Sequence, residues 1–290
     1  AFRNLTNQLK KAGISSVEGA ILGYNGIFDE DKYPKGWDWD DLSFYYGVEI
    51  DALSFNNNAV DIEVYADGAV GEKPRLEFFP KKLNGIELVN DQVIDEADTQ
   101  YDEYYRRELG RNVIHLRSSL PEGYLEKESL SVYNGAFFFI SSFVDFLEAK
   151  GIEVLEHSKE EHVISSLMWV ENQTELAVHK SKPLSDLLTW AMKESDNFYT
   201  EMLLKTMVAE TVSNPASFEE GIEVVRAFTS EMGADSSLVN MKDGSGMASG
   251  TLTTTGDLAL YLHNYRSLAE FPYFKQTLSV AGKDGTLSYR

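Results

Sequence analysis

The spacing of apolar positions changes period twice along the chain. Leu5, Leu9 and Ala12 recur at helical spacing with Gly13 as a stop, which predicts an opening helix; Ile14–Tyr24, with Val17, Ile21 and Leu22 broken by Gly19 and Gly23, reads as extended. An aromatic, acidic loop follows over Tyr33–Tyr46. From about Val48 the period drops to two: Val60, Ile62 and Val64 alternate with Asp61 and Glu63, the pattern of a strand with one wet face. Short apolar runs at Leu76–Phe79, Gly85–Val89 and Val113–Leu116 extend this β region, and acidic Asp91–Asp102 reads as a solvated loop. Helical spacing returns at Ala136–Lys150, closed by Gly151, and Ile152–Leu155 and Val163–Val170 read as strands. Beyond Pro183, one stripe of Leu184, Leu187, Leu188 and Ala191 and another of Met202, Leu203, Thr206 and Met207 predict two helices, with Phe218–Met232 and Thr255–Tyr265 as two more. A β-rich first half therefore precedes an α-rich second half, the change falling between Val170 and Pro183, with no repeat of roughly 20–50 residues.

Composition narrows function more than fold. With 290 residues, 43% hydrophobic and 25% charged, the chain has the make-up of a globular protein of two ordinary domains or one large one. Lys plus Arg number 26 against 47 Asp plus Glu, a net charge of −21, which repels nucleic acid and anionic membrane surfaces alike. No cysteine is present, which excludes disulfides and thiolate chemistry. No apolar run approaches the roughly 20 residues of a membrane helix, so no transmembrane segment is expected. The opening Ala1-Phe2-Arg3-Asn4 has neither an initiator Met nor the form of a signal peptide, and the chain is expected to be cut from something longer.

Candidate chemistry is sparse. His157 and His162 lie roughly 140° apart around a helix and no H-E-x-x-H occurs, so no metal is expected. Gly244-Ser245-Gly246 with Gly250 misses dinucleotide-loop spacing by one position, no Walker loop exists, and no cofactor is expected. Trp37, Trp39, Tyr45 and Tyr46 beside Asp38, Asp40 and Asp41 could stack a sugar between paired carboxylates; the commoner arrangement anchors such a loop onto the β domain while its acids face water. Ser195-Asp196-Asn197 falls between two helical stripes. All three residue types are good N-caps, and S-x-N recurs at Ser54-Phe55-Asn56, but a polar triplet at a break between helices also places a hydroxyl and an amide together. Asp243-Gly244-Ser245-Gly246 reads as a tight turn needing positive φ, and Val280–Leu287 shares its turn-rich grammar.

In order and spacing, Pro183-Leu184-x-Asp186-Leu187-Leu188, Ser195-Asp196-Asn197, Asp243-Gly244-Ser245-Gly246 and Ala281-Gly282-x-Asp284-Gly285-Thr286-Leu287-x-Tyr289-Arg290 resemble the class C penicillin-binding proteins, D-alanyl-D-alanine carboxypeptidase/endopeptidase enzymes of bacterial cell-wall metabolism. Leu9-Lys10-x-Ala12-Gly13-Ile14, Gly36-Trp37-x-Trp39-x-Asp41 and Ala52-Leu53-Ser54-Phe55-Asn56 with Asn58 and Val60 agree with that family too. The resemblance implies an α+β fold: a serine β-lactamase/transpeptidase-like domain, here mainly its helical lobe, with inserted mostly-β domains. It would assign 1–24 to the end of a first catalytic segment, 25–165 to the insert and 166–290 to the helical lobe.

It also implies a mechanism. An S-x-x-K serine, activated by a neutral lysine, attacks the penultimate D-Ala carbonyl; the S-x-N serine passes a proton to the leaving D-Ala, its Asn holds the substrate amide, and a K-T-G strand binds the terminal carboxylate. By that implication Ser195 relays the proton, Asn197 contacts substrate and lysine, and Asp196, Asp243, Gly244, Ser245 and Gly246 support the motif. The implied partners are peptidoglycan stem peptides and β-lactams, and the implied location is periplasmic or otherwise extracytoplasmic. The sequence departs from the pattern at two motifs. Ser158-Lys159 and Ser181-Lys182 lack S-x-x-K spacing, and Lys205-Thr206-Met207 fails at the glycine of K-T-G. In the family those motifs fall before the residue matching Ala1 and after Arg290, so these 290 residues alone are expected to be inactive. The alternatives are a non-catalytic peptidoglycan-binding or scaffold protein of the same fold and, third, a glycosidase using the acids near Trp37.

Overall fold

The computed structural model describes residues 1–155, 162–165, 174–235 and 239–290. The protein is α+β and divides into two compact units: residues 1–25 with 39–179, and residues 26–38 with 180–290.

The first unit opens with α1 (Phe2–Lys11), β1 (Ser16–Val17) and β2 (Leu22–Tyr24). It continues through β3 (Ala59–Tyr65), β4 (Arg75–Phe79), β5 (Glu87–Asn90), β6 (Val93–Asp95), β7 (Tyr105–Arg107), β8 (Val113–Leu116), β9 (Ser119–Pro121) and β10 (Leu125–Ser131). It closes with α2 (Gly135–Ala149), β11 (Glu153–Val154) and β12 (His162–Ile164). β3 sits between antiparallel β10 and β4, and its alternation is real: Val60, Ile62 and Val64 are buried while Asp61, Glu63 and Tyr65 are half-buried. These residues join Ile94, Ile114, Leu116, Leu120, Leu130, Val132 and Phe138 in one core. A second core gathers Ile140, Val144 and Leu147 of α2 with Ile152 and Val154. The helix is thus apolar on opposite faces, which is why its sequence shows little amphipathicity.

The N-terminus of α2 is held from below by a run of three left-handed asparagines, Asn56, Asn57 and Asn58. Asn58 is fully buried; its Nδ2 donates to the Glu49 carbonyl at 2.8 Å and to Ser54 Oγ at 3.1 Å. The Glu49 carboxylate accepts the Gly135 N–H at 3.0 Å, and a Cβ on Gly135 would meet the Asn58 amide at 2.5 Å. Asn tolerates positive φ where Ala does not. Asn58→Ala combines that strain with loss of the buried amide's hydrogen bonds to the Glu49 carbonyl and Ser54, and is expected to lower the unfolding free energy by about 2 kcal/mol in urea titration. A loss below a few tenths of a kcal/mol would show that the turn does not depend on this amide.

Two expectations need correction. Asp91–Asp102 is not simply a solvated loop: Val93–Asp95 pairs in parallel with β9, and Gln92 and Ile94 are buried. A three-residue strand is too short to display a period. The aromatic loop is divided rather than seated wholly on the β domain. Trp39 lies exposed beside the Arg106 guanidinium, 5.0 Å from its ring centre, whereas residues 26–38 belong to the helical unit. Of the strand expected over Val163–Val170, only the start is seen, His162–Ile164 paired with β2; residues 166–170 lie outside the described ones.

The second unit carries α3 (Leu184–Glu194), α4 (Asn197–Thr211), α5 (Phe218–Glu231), α6 (Thr255–Tyr265) and α7 (Phe271–Thr277). The helix marked by Met202, Leu203, Thr206 and Met207 buries a different stripe: Phe198, Glu201, Leu204, Lys205 and Val208. Two charged residues occupy that stripe, so hydropathy alone does not mark the buried face. On α3 only Ala191 is buried, with Leu184 and Leu188 exposed. Among the described residues no helix is long and apolar enough to cross a membrane.

Candidate functional site

α3 stops because Ser195 takes a left-handed conformation (φ 58°, ψ 47°), which sends the Asp196 N–H back to the Ala191 carbonyl at 3.0 Å. Glycine is the usual residue at such a C-terminal position, since it carries no Cβ penalty. A serine there keeps a hydroxyl at some cost in strain, and it stands exposed. Asp196 caps α4: one oxygen accepts the Tyr199 N–H at 3.1 Å and the other accepts Trp190 Nε1–H at 3.0 Å. The triplet therefore uses its middle residue to tie two helices together and leaves its flanking residues at the break. Asn197, half-buried, donates from Nδ2 to Met247 Sδ at 3.3 Å.

Met247 belongs to the Asp243-Gly244-Ser245-Gly246 turn, so the structure brings both sequence-predicted motifs together. Asp243 is buried and accepts four hydrogen bonds: Trp37 Nε1–H at 3.0 Å, Ser245 Oγ–H at 3.1 Å, the Ala248 N–H at 2.7 Å and Thr251 Oγ1–H at 2.7 Å. Trp37 thus serves this turn. The two glycines have separate reasons. Gly246 needs its positive φ of 77°, whereas Gly244 lies so close to α4 that a Cβ would sit 3.2 Å from Glu201 Oε2 and 3.3 Å from the Thr200 carbonyl.

Glu201 is the residue that sequence reasoning missed. It is fully buried and accepts the Gly244 N–H at 2.9 and 3.0 Å on its two oxygens and the Ser245 N–H at 2.8 Å. Burial raises its carboxyl to about 7; the N–H bonds pull the other way, and the Asp243 charge adds to the rise. Its place four residues after Asn197, on the same helical face, was the available signal. Lys205, one turn further, is also fully buried: Nζ donates to Asp29 Oδ1 at 2.6 Å and the Asp31 carbonyl at 2.9 Å, with the Phe218 ring centre 4.3 Å away. Burial lowers its ammonium against the opposing pull of Asp29. This lysine is one half of a buried ion pair. Among the described residues no group of three or more His, Asp or Glu is placed to hold a metal ion.

An α+β chain with an S-x-N turn clasped to a D-G-S-G loop is the class this geometry defines. The family described as D-Ala-D-Ala carboxypeptidase 3 (S13) matches residues 1–290, and the chain belongs to it. Over 297 residues it is 25% identical to the D-alanyl-D-alanine carboxypeptidase DacB of Haemophilus influenzae, covering 99% of this chain and 59% of that protein. It is 26% identical over 295 residues to the D-alanyl-D-alanine carboxypeptidase of an Actinomadura species, covering 98% and 54%. Among solved structures, penicillin-binding protein 4 (dacB) of Haemophilus influenzae shares its fold, with a TM-score of 0.79 at 24% identity over 99% of this chain and 62% of the other. The chain thus spans somewhat over half the length of the relatives it matches.

Proposed function

We propose that the protein of which these residues form the S-x-N portion hydrolyses the D-Ala-D-Ala terminus of peptidoglycan stem peptides through a serine acyl-enzyme, and that β-lactams acylate the same serine. Membership of the carboxypeptidase family supports this reading. A relative of the same fold has been crystallised with a β-lactam. The observation that carries it is the exposed Ser195 hydroxyl, held at a left-handed helix terminus two residues from Asn197 and beside the D-G-S-G loop. In that role Ser195 passes a proton to the leaving D-Ala and Asn197 holds the substrate amide; Asp196 and Asp243 fix the backbone on which they stand. The nucleophilic serine, its lysine and the K-T-G strand come from outside these 290 residues, and the site of action is extracytoplasmic, where stem peptides are found.

Labelled penicillin followed by intact mass tests this directly. One adduct is expected on the full-length protein and none on residues 1–290. An adduct on the shorter chain would mean that the nucleophile lies within it; none on the full-length protein would favour a non-catalytic scaffold. Ser195→Gly removes the hydroxyl while relieving left-handed strain, so its fold should be retained. Its turnover of a D-Ala-D-Ala peptide should fall at least about a hundredfold, as for loss of a proton-transfer group; unchanged turnover would remove Ser195 from the mechanism.

A further inference from the structure

We propose that Glu201 is a positioning residue for Asn197: its carboxylate fixes the Asp243–Met247 turn against the first turn of α4, so that Met247 holds the Asn197 amide in the orientation that meets substrate. The inference rests on the reading given under Proposed function.

Residues 197 and 201 lie one turn apart on a single helix face. Glu201 takes the N–H groups of Gly244 and Ser245, and Asp243 takes the Ala248 N–H, so the backbone on either side of Gly246 is gripped by a buried carboxylate. Gly246, at φ 77°, turns the chain between those grips and brings Met247 back to Asn197, where Nδ2 meets Sδ at 3.3 Å. Every link from Glu201 to the Asn197 amide is a contact within one compact unit. An apolar residue would fill the buried stripe of α4 without the desolvation cost of a carboxylate. What an apolar residue lacks is the ability to receive two adjacent backbone N–H groups, and it is this that sets the turn relative to the amide. Glu201 touches no reacting atom; it acts through Met247 and Asn197.

The test is a double-mutant cycle on the full-length protein, read as the rate of acylation by a labelled penicillin. Glu201→Gln puts an NH2 group where one oxygen accepts an N–H, so at least one bond is lost; acylation should slow about tenfold, the size of one or two hydrogen bonds. Asn197→Ala should slow it about a hundredfold. The double variant should be no slower than Asn197→Ala alone, because Glu201 has nothing left to position. A loss confined to stability would instead leave the acylation rate of folded protein unchanged. Met247→Leu, which keeps volume and removes the sulfur acceptor, should lose a few-fold and show the same masking, and it carries the cycle if Glu201→Gln does not fold. Wild-type acylation in both single variants, or losses that multiply in the doubles, overturns the inference while the functional reading stands. A wild-type protein that takes no penicillin overturns both.

Discussion

Asp29→Ala is expected to destabilise the helical unit by about 3–5 kcal/mol, the usual consequence of leaving a buried charge without its partner. Lys205 is the charge in question: it is fully buried and, among the described residues, pairs with the Asp29 carboxylate at 2.6 Å, supplemented by the Asp31 carbonyl and the faces of Phe28 and Phe218. Those neutral groups soften the loss but do not replace a counter-ion. The lysine can escape by losing its proton, which at pH 7 costs about 1.4 kcal/mol for each pH unit between the solution and its titration point. Since burial already draws that point down, neutralisation limits the loss. Asp29→Asn, which keeps an acceptor oxygen and the volume, should cost less. Lys205→Met combined with Asp29→Ala should recover most of the loss, because a thioether fills the space without a charge. Urea titration of the four proteins checks this; a cost under about 1 kcal/mol for Asp29→Ala would mean that water, rather than Asp29, solvates Lys205.

The second large effect is a stability that falls as pH rises from about 5 to 8. Glu201 titrates near 7 in the folded chain, above the usual carboxylate value of 4.5. The folded state therefore holds the proton more tightly than the unfolded chain does, and stability is highest below the unfolded value and declines as pH climbs through the folded one. The difference of about 2.5 pH units corresponds to about 3 kcal/mol. Other groups act in the opposite sense at lower pH. Glu219 and Glu220 are held below the usual range by Lys35 and Ser217 respectively, so their contributions are complete above pH 5 and fade only beneath it. Glu128, raised by burial, titrates in the same direction as Glu201. Subtraction isolates the residue of interest: the advantage of wild type over Glu201→Gln, measured by urea midpoints, should shrink by about 2–3 kcal/mol between pH 5 and pH 8. A constant difference would show that Glu201 ionises in the folded chain as it does in the unfolded one.

Both predictions concern α4, whose existence hydropathy marked but whose buried face it did not. The spacing of Met202, Leu203, Thr206 and Met207 marked the helix, and the face that packs contains Glu201 and Lys205. Charged residues are ordinarily placed in water, and only their partners reverse that assignment. The partners, Gly244 with Ser245 and Asp29 with Asp31, lie about 40 and 175 residues away in the chain, beyond any local period. Trp37 is a similar case, since its tie to Asp243 spans 206 residues. By contrast, the strand at Ala59–Tyr65 and the helices at Phe218–Glu231 and Thr255–Tyr265 stand close to where their periods put them.

Sequence by itself determined the α+β make-up, the order of a β-rich half before a helical one, and the motifs whose spacing marks the family, because each is written in neighbouring residues or in fixed chain order. Tertiary structure alone decided that residues 26–38 join the helical unit, which face of α4 is buried, and that two carboxylates grip the turn beside Asn197. Those outcomes depend on which distant N–H group or cation stands opposite a buried charge, and a buried charge is stable only where such a partner arrives.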